Sequence, residues 1–266
     1  MKKSTLQFGD SAIIVHHQGA HLSSWLYQGK EQLFLSREAI YKPAKALRGG
    51  VPICFPQFGA FGPGISHGFA RNVIWQQVAS QSDSRLRFEL SHNDSSLEQW
   101  PFEFVAAFDI ELEDNTLSMR LSVENLSDKT IAFTAALHTY LRVDDINNAI
   151  LDGLKDCEHW DNGTPFSQRQ YQQQDRLRIS GAIDRVYFNT PKNLNLTDDQ
   201  SARQITSNGF NDTVIWNPWI DGARAFSDMA DDEYQQMLCI ESANVQTPVE
   251  LKKGISWQGS QKITVL

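Results

Sequence analysis

Three stretches in the first half of the chain alternate apolar and polar residues with a period of two. They are Leu86-Arg-Phe-Glu-Leu90, Phe108-Asp-Ile-Glu-Leu112 and Leu117-Ser-Met-Arg-Leu-Ser-Val123. Successive side chains of an extended strand point to opposite faces, so this spacing buries one face and wets the other. A helix cannot satisfy it. Glu113-Asp-Asn-Thr116 lies between the last two stretches and reads as a hairpin turn. Shorter apolar runs predict further strands at Ala12–Val15, Gly19–Leu26, Gln32–Leu35, Val73–Trp75, Arg185–Phe188, Val214–Trp216, Gln236–Glu241 and Ile263–Leu266. Ile131–Leu141 is almost continuously apolar, as suits a strand covered on both faces. Residues 145–180 are polar and read as short strands and exposed loops, and Asp231–Gln236 suggests one helical turn. Many short strands with turns between them predict an all-β fold, a large β-sandwich. No linker or fixed-period repeat divides residues 1–266, so a single domain is expected.

Composition narrows the partners. With 41% hydrophobic residues the 266-residue chain can bury a substantial core. A formal charge of -8 argues against nucleic acid, because phosphate backbones need a basic face. A small phosphorylated ligand needs only local positive charge. Cys54, Cys157 and Cys239 are far apart, which is the spacing of neither a disulfide framework nor a zinc motif. The first residues lack the apolar core of a signal peptide, and no stretch approaches the length of a membrane span. The expectation is a cytoplasmic protein without a membrane partner, a monomer by default.

The segment that departs from the strand pattern is Arg48-Gly-Gly-Val-Pro-Ile-Cys-Phe-Pro-Gln-Phe-Gly59, closed by Ser66-His-Gly-Phe-Ala-Arg71. Its glycines let the backbone turn sharply and its prolines stiffen it. Arginines on such a frame suit an anion or sugar grip, although a turn-rich connector with solvated arginines has the same composition. His138 lies inside an apolar run, where a histidine is either a hydrogen-bonded core residue or a functional one. Glu241 ends the run Met237-Leu-Cys-Ile-Glu241, a costly place for a carboxylate unless it is paired, opens on a cleft or is used. Asp184-Arg185 on its own could be a surface ion pair, and Trp216 and Trp219 offer flat faces for sugar rings or for core packing.

Taken together, the two segments just quoted, with Ala136-Leu-His-Thr-Tyr140, Asp184-Arg-Val-Tyr187, Val214-Ile-Trp-Asn-Pro218, Ser227-Asp-Met-Ala-Asp-Asp-Glu-Tyr234 and Cys239-Ile-Glu-Ser-Ala243, resemble the ordered motifs of hexose-6-phosphate mutarotases. These are also called glucose-6-phosphate 1-epimerases, within the aldose 1-epimerase superfamily. The resemblance runs from about residue 40 to the end of the chain. It implies a β-supersandwich fold and interconversion of sugar-phosphate anomers. It implies that His138 is the general acid and Glu241 the general base. It implies that Arg48 and Arg71 hold the substrate through its phosphate and that Asp184 binds sugar hydroxyls. His67 falls beside them as a further candidate for the sugar or its ring oxygen. Ser66 replaces a glutamine found in some relatives, so its direct contact is open. Ring opening removes a proton from the C1 hydroxyl and adds one to the ring oxygen, which calls for a base and an acid on opposite sides of the C1–O5 unit. An ionised Glu241 and a titratable His138 would supply them. No redox step or group transfer occurs, so no cofactor or metal is required. The competing readings are a carbohydrate-binding or regulatory module without turnover, and a mutarotase for unphosphorylated aldoses.

Overall fold

The structure is a computed structural model and describes residues 1–80 and 82–266. Its strands form three antiparallel sheets. A four-stranded sheet takes Lys3–Phe8, Ser11–His16, His21–Tyr27 and Lys30–Glu31 in chain order. An eight-stranded sheet runs Gln170–Tyr171, Glu158–Asp161, Ile183–Tyr187, Asp212–Asn217, Met237–Leu251, Ile131–Leu137 and Ile53–Cys54, with Tyr140–Arg142 also paired to the long Met237–Leu251 strand. A nine-stranded sheet runs Arg176–Arg178, Ile150–Asp152, Asn193–Thr197, Ala202–Asn208, Ser256–Val265, Thr116–Asn125, Phe104–Glu113, Arg85–Ser91 and Gln76–Val78. The two large sheets share one core, which joins Phe108, Leu121 and Ile263 to Leu137, Ile215 and Ile240. The expected all-β sandwich is therefore the observed architecture. Among the described residues no helix is long and apolar enough to cross a membrane.

The alternating stretches became Arg85–Ser91, Phe104–Glu113 and Thr116–Asn125, the last two joined by the Asp114–Asn115 turn. Asp114 takes a positive φ of 41° there, which a two-residue hairpin of this kind demands. Other expectations need correction. Gln32–Leu35 makes only isolated bridges, Leu33 to Leu141 and Leu35 to Gly49. Val73–Trp75 is not a strand, and the ladder starts instead at Gln76. Two short helices were not foreseen. Asp94–Gln99 starts at Asn93, whose side chain accepts from the Ser96 N–H while Ser96 Oγ accepts from the Asn93 N–H, a reciprocal cap. Trp219–Ala225 follows Pro218.

The Ile131–Leu141 run is not one strand. It pauses at His138 and Thr139 and resumes at Tyr140. The pause is held from both sides. The His138 N–H donates to Pro52 O at 3.0 Å, and the Ile240 N–H donates to Thr139 O at 3.1 Å. Behind it, the fully buried Gln261 of the opposite sheet accepts from Thr139 Oγ1 at 2.5 Å and donates to Ile240 O at 3.0 Å and Ser242 Oγ at 2.9 Å. One amide thus bolts the two large sheets together behind the interruption. Gln261→Leu strands buried partners at a cost of about 1–3 kcal/mol for each group left unsatisfied. The expected outcome is a lower urea midpoint with an unchanged slope, whereas an unaltered midpoint would show that the bolt carries no stability.

Candidate functional site

The register of the eight-stranded sheet decides which side chains meet. Leu137 pairs with Ser242 and Tyr140 with Cys239, one continuous register that sets His138 opposite Glu241. Glu241 pairs in turn with Val214, and Val214 with Val186. Two positions along, Tyr140 pairs with Cys239, Cys239 with Trp216, and Trp216 with Asp184. Residues two apart in a strand share a face, so both rows lie on the same side of the sheet. Leu137, Tyr187, Ile215 and Ile240, at the alternate positions of these strands, are buried in the main core. On the other side the two rows, all but the buried Cys239, floor a cavity of about 480 Å³. Its lining includes His138, Glu241, Arg48, His67, Arg71 and Asp184, so the six residues expected to act on or hold the substrate reach one space.

The glycine- and proline-rich segment forms the wall. Gly68 has a φ of +67°, and a Cβ there would lie 2.0 Å from Phe55 O, so only glycine lets the chain cross so closely. Gln57 staples the loop, donating to Gly59 O at 2.9 Å and accepting from the Gly64 N–H at 2.9 Å. His67 is itself left-handed, with φ of 61°. Its Nδ1 accepts from the Gly59 N–H at 3.3 Å and lies 3.2 Å from Cys54 Sγ. Burial first, then Arg71 and Arg48, push this imidazole down to about 4. It is therefore neutral near pH 7, with its proton on Nε2 as a hydrogen-bond donor. Arg71 donates from Nη2 to Ser66 O at 3.0 Å, while its buried Nε has no partner. Ser66 thus contributes a carbonyl that aims an arginine. Arg48 donates from Nε to Asp228 Oδ1 at 3.1 Å and from Nη1 to Tyr140 Oη at 3.3 Å, and its guanidinium lies 4.1 Å from the centre of the Phe226 ring. Asp228 also takes Lys45 at 3.2 Å. Burial opposes the Asp228 carboxylate, but Arg48 and Lys45 outweigh it and hold it below the usual range. Asp184 accepts from Asn162 Nδ2 at 2.7 Å, and burial pushes its carboxyl up.

His138 and Glu241 stand side by side, with Nδ1 to Oε1 at 3.3 Å. The separation is that of a close pair, yet His138 Nδ1 and Glu241 Oε2 each lack a hydrogen-bond partner, so the contact does not have the angles of a formed bond. The imidazole stacks on the Tyr140 ring, with centroids 4.8 Å apart and planes 8° from parallel, and the Trp216 edge closes another side. Burial pushes the Glu241 carboxyl well above its ordinary value, and Asp184 adds to this while Arg71 opposes it. Burial pushes His138 well below its ordinary value, helped by His67, Arg71 and Arg48. Burial therefore works against the imidazolium and carboxylate forms of this pair. The ionised Glu241 expected from its residue type is opposed by this burial.

The aldose 1-epimerase family model matches residues 2–264. The chain belongs to the aldose 1-epimerase family. A Cenchrus ciliaris protein that carries the provisional name glucose-6-phosphate 1-epimerase is 35% identical over 259 residues, covering 92% of this chain and 78% of that protein. An Escherichia coli K12 protein with the same provisional name is 32% identical over 241 residues, covering 85% of this chain and 77% of its own length. A crystal structure of a provisionally assigned mutarotase from Salmonella typhimurium superposes with a TM-score of 0.87 at 30% identity, covering 99% of this chain and 93% of the other. A galactose mutarotase-like protein from Lactobacillus casei shares the fold at a TM-score of 0.79, with 17% identity over the full length of both chains.

In this family member the site also contains residues that sequence reasoning did not single out. Asp228, Tyr140, Asn162, Trp160 and Phe226 line the cavity. Trp216 lines it as well, whereas Trp219 packs on Tyr234 and faces elsewhere. The glutamine-rich region stays outside it, and Gln172 instead accepts a hydrogen bond from Tyr187 Oη at 2.9 Å. The tyrosine next but one to His138 was the available signal for Tyr140, since period-two spacing puts both on one face. Asp228 lay inside the Ser227–Tyr234 motif but drew no role of its own, because its partners come from a distant segment.

The raised carboxyl has a consequence for stability. The folded chain holds the Glu241 proton more tightly than the unfolded chain, whose ordinary value is 4.5. Stability from this group is therefore intact below that value and is lost as pH rises towards the folded one. Glu241→Gln cannot ionise and escapes the loss. It should melt higher than the wild type at neutral pH, with a gap that widens as pH rises above 4.5 and closes below it. A gap that ignores pH would refute burial as its cause.

Proposed function

We propose that the chain interconverts the α and β anomers of hexose 6-phosphates, glucose 6-phosphate foremost, with His138 and Glu241 as the acid–base pair. The observation that carries this reading is the cross-strand placement of His138 beside Glu241, at 3.3 Å, on the floor of the cavity that Arg48 and Arg71 also enter. The family match and the provisional names of the relatives support it. Binding alone needs neither an acid nor a base, which favours an enzyme over a carbohydrate-binding module. The reading includes one catalytic domain, a monomer acting in the cytoplasm, with a small sugar phosphate and no nucleic acid as its partner.

The chemistry follows from the geometry. The C1 hydroxyl oxygen and the ring oxygen are bonded to the same carbon, so adjacent groups reach both. An acid and base facing each other across the sugar are unnecessary, and the side-by-side pair suits the task better. Ring opening with Glu241 as base and His138 as acid starts from carboxylate and imidazolium. The uncharged pair holds the same number of protons, and Nδ1 and Oε1 are close enough to exchange one once the angles improve. A bound phosphate dianion beside Arg48 and Arg71 offsets two of the positive fields that keep His138 unprotonated. The substrate thereby favours the form that protonates its own ring oxygen. His138 gives its proton to O5 as Glu241 takes one from the C1 hydroxyl. The C1–C2 bond rotates in the open aldehyde, and the two groups reverse their roles as the ring closes on the other face. Arg48 offers a planar guanidinium whose Nε and Nη1 are already fixed, leaving Nη2 for a phosphate oxygen. Asp184 accepts from sugar hydroxyls, and Trp216 supplies a flat apolar wall.

Exchange NMR on glucose 6-phosphate, with glucose as control, tests the assignment. The protein should accelerate exchange between the anomers of the phosphate far more than those of the free sugar. His138→Ala and Glu241→Gln should each slow turnover by about 10²- to 10⁴-fold with the fold intact. Near-wild-type exchange in either variant removes that residue from the mechanism. Arg48→Ala should raise KM for glucose 6-phosphate more than for glucose, and equal increases would argue against phosphate contact.

A further inference from the structure

Cys239 has no part in the proposed reaction. It precedes Glu241 by two residues on the same strand face and pairs with Tyr140 on one side and Trp216 on the other. His138, Cys239 and Glu241 each offer one donor atom such that all three lie within 4.8 Å of one another. The spacing of the cysteines along the chain gave no hint of a metal site; strand register creates this cluster from residues a hundred positions apart along the sequence.

Two features separate the cluster from an ordinary packed thiol. His138 Nδ1 and Glu241 Oε2 are buried without hydrogen-bond partners, and Glu241 is 1% exposed. Native proteins rarely leave such atoms unmatched. His138 and Glu241 also line the cavity, so a bound ion has both an entry path and room for a water. We propose that His138, Cys239 and Glu241 form a binding site for a thiophilic divalent cation of the zinc type, and that its occupancy blocks the reaction. The proposed inhibition rests on the mutarotase reading; the binding site itself does not.

Imidazole nitrogen, thiolate and carboxylate are zinc ligands, and three protein donors plus one open position form a familiar coordination pattern. Bond lengths of about 2.0–2.3 Å around one tetrahedral ion require donor separations of roughly 3.3–3.8 Å. The imidazole and carboxylate already meet that range at 3.3 Å. The widest separation, within 4.8 Å, needs a contraction of about 1 Å, within reach of side-chain rotation. Binding exchanges two protons for the metal: the Cys239 S–H and the Glu241 O–H bonds break, both protons leave to solvent, and the freed sulfur and oxygen electron pairs bond to the cation, beside the lone pair of the neutral His138 imidazole. Magnesium and calcium are poor candidates, because they prefer more numerous oxygen ligands. Zinc held there occupies the electron pairs with which the imidazole and carboxylate would accept protons. Cys54, 3.2 Å from His67 Nδ1, is the rival thiol, but that nitrogen already accepts the Gly59 N–H.

Cobalt(II) added to the sugar-free protein tests binding directly. A near-ultraviolet thiolate-to-cobalt charge-transfer band should appear, saturate at one ion per chain and vanish on addition of zinc. The band should be absent in Cys239→Ala and Cys239→Ser and retained in Cys54→Ala. Because the wild-type spectrum is itself decisive, the test survives a failure of the Cys239 variants to fold. Absence of the band in the wild type, or its loss in Cys54→Ala alone, overturns the site. In exchange NMR with buffered zinc, the concentration that halves glucose 6-phosphate turnover should rise by roughly ten- to a hundredfold in Cys239→Ala. Equal zinc sensitivity in the two proteins overturns the inhibition. A cobalt band in a protein that accelerates no anomer exchange supports the metal site while removing the mutarotase reading.

Discussion

The functional site depends on one register. Ile131–Leu137 and Tyr140–Arg142 both pair with Met237–Leu251, and the ladder is interrupted between them without slipping. A slip of one residue would turn His138 or Glu241 from the cavity into the core and send an apolar neighbour out. The interruption frees His138 from the ladder's regular hydrogen bonds, while Pro52 and Gln261 keep its backbone and the next residue in place. Precision at the site is therefore inherited from the sandwich. The same sheet hides Leu137 and Ile240 on one face and presents His138 and Glu241 on the other.

That placement has an energetic cost. A carboxyl at 1% exposure with one unpartnered oxygen, beside an imidazole pushed towards its neutral form, is a poor choice for stability alone. The surrounding charges are arranged asymmetrically. Arg48 is tethered by Asp228 and braced by Tyr140, whose ring also lies flat on His138. Lys45 shares Asp228, so this carboxylate does not fully cancel the guanidinium. Positive potential is left at the cavity wall where a phosphate would lie. It falls on the imidazole, and a bound anion would screen it. On the proposed reading, anion recognition and proton inventory would thus be coupled through a few shared side chains.

Much of the architecture was legible because it rests on local periodicity. Leu86–Leu90, Phe108–Leu112 and Leu117–Val123 alternate because one face is buried, and each lies inside a longer observed strand. The failures have physical reasons. Lys3–Phe8 was missed because it is largely exposed, an edge strand paired on only one side and so under weak pressure to alternate. Gln32–Leu35 is apolar because it is buried, yet its backbone makes only isolated bridges. Most of Ser256–Val265 escaped notice because its inward-facing positions include Gly259 and the buried Gln261, which a binary pattern reads as polar and exposed. The break at His138 could not be read from an unbroken apolar run, since partners on two other segments create it.

The same reasoning explains why the site residues were easier to find than their supports. His138, Glu241 and the arginines stand out against apolar or glycine-rich surroundings, where a charge or an imidazole demands a reason. Asp228 and Gln261 sit in polar stretches and look unremarkable until the fold brings Arg48 and Lys45 to the first and Thr139 to the second. Cys239 is the opposite case, an apolar-looking residue in an apolar strand. It becomes chemically notable only because antiparallel pairing stacks it in line with an imidazole and a carboxylate. A pair poised to pass protons must keep its lone pairs open to a ligand. Open lone pairs beside a buried sulfur are also what a soft cation seeks, so the proposed metal site would follow from the same arrangement that the proposed proton transfer needs.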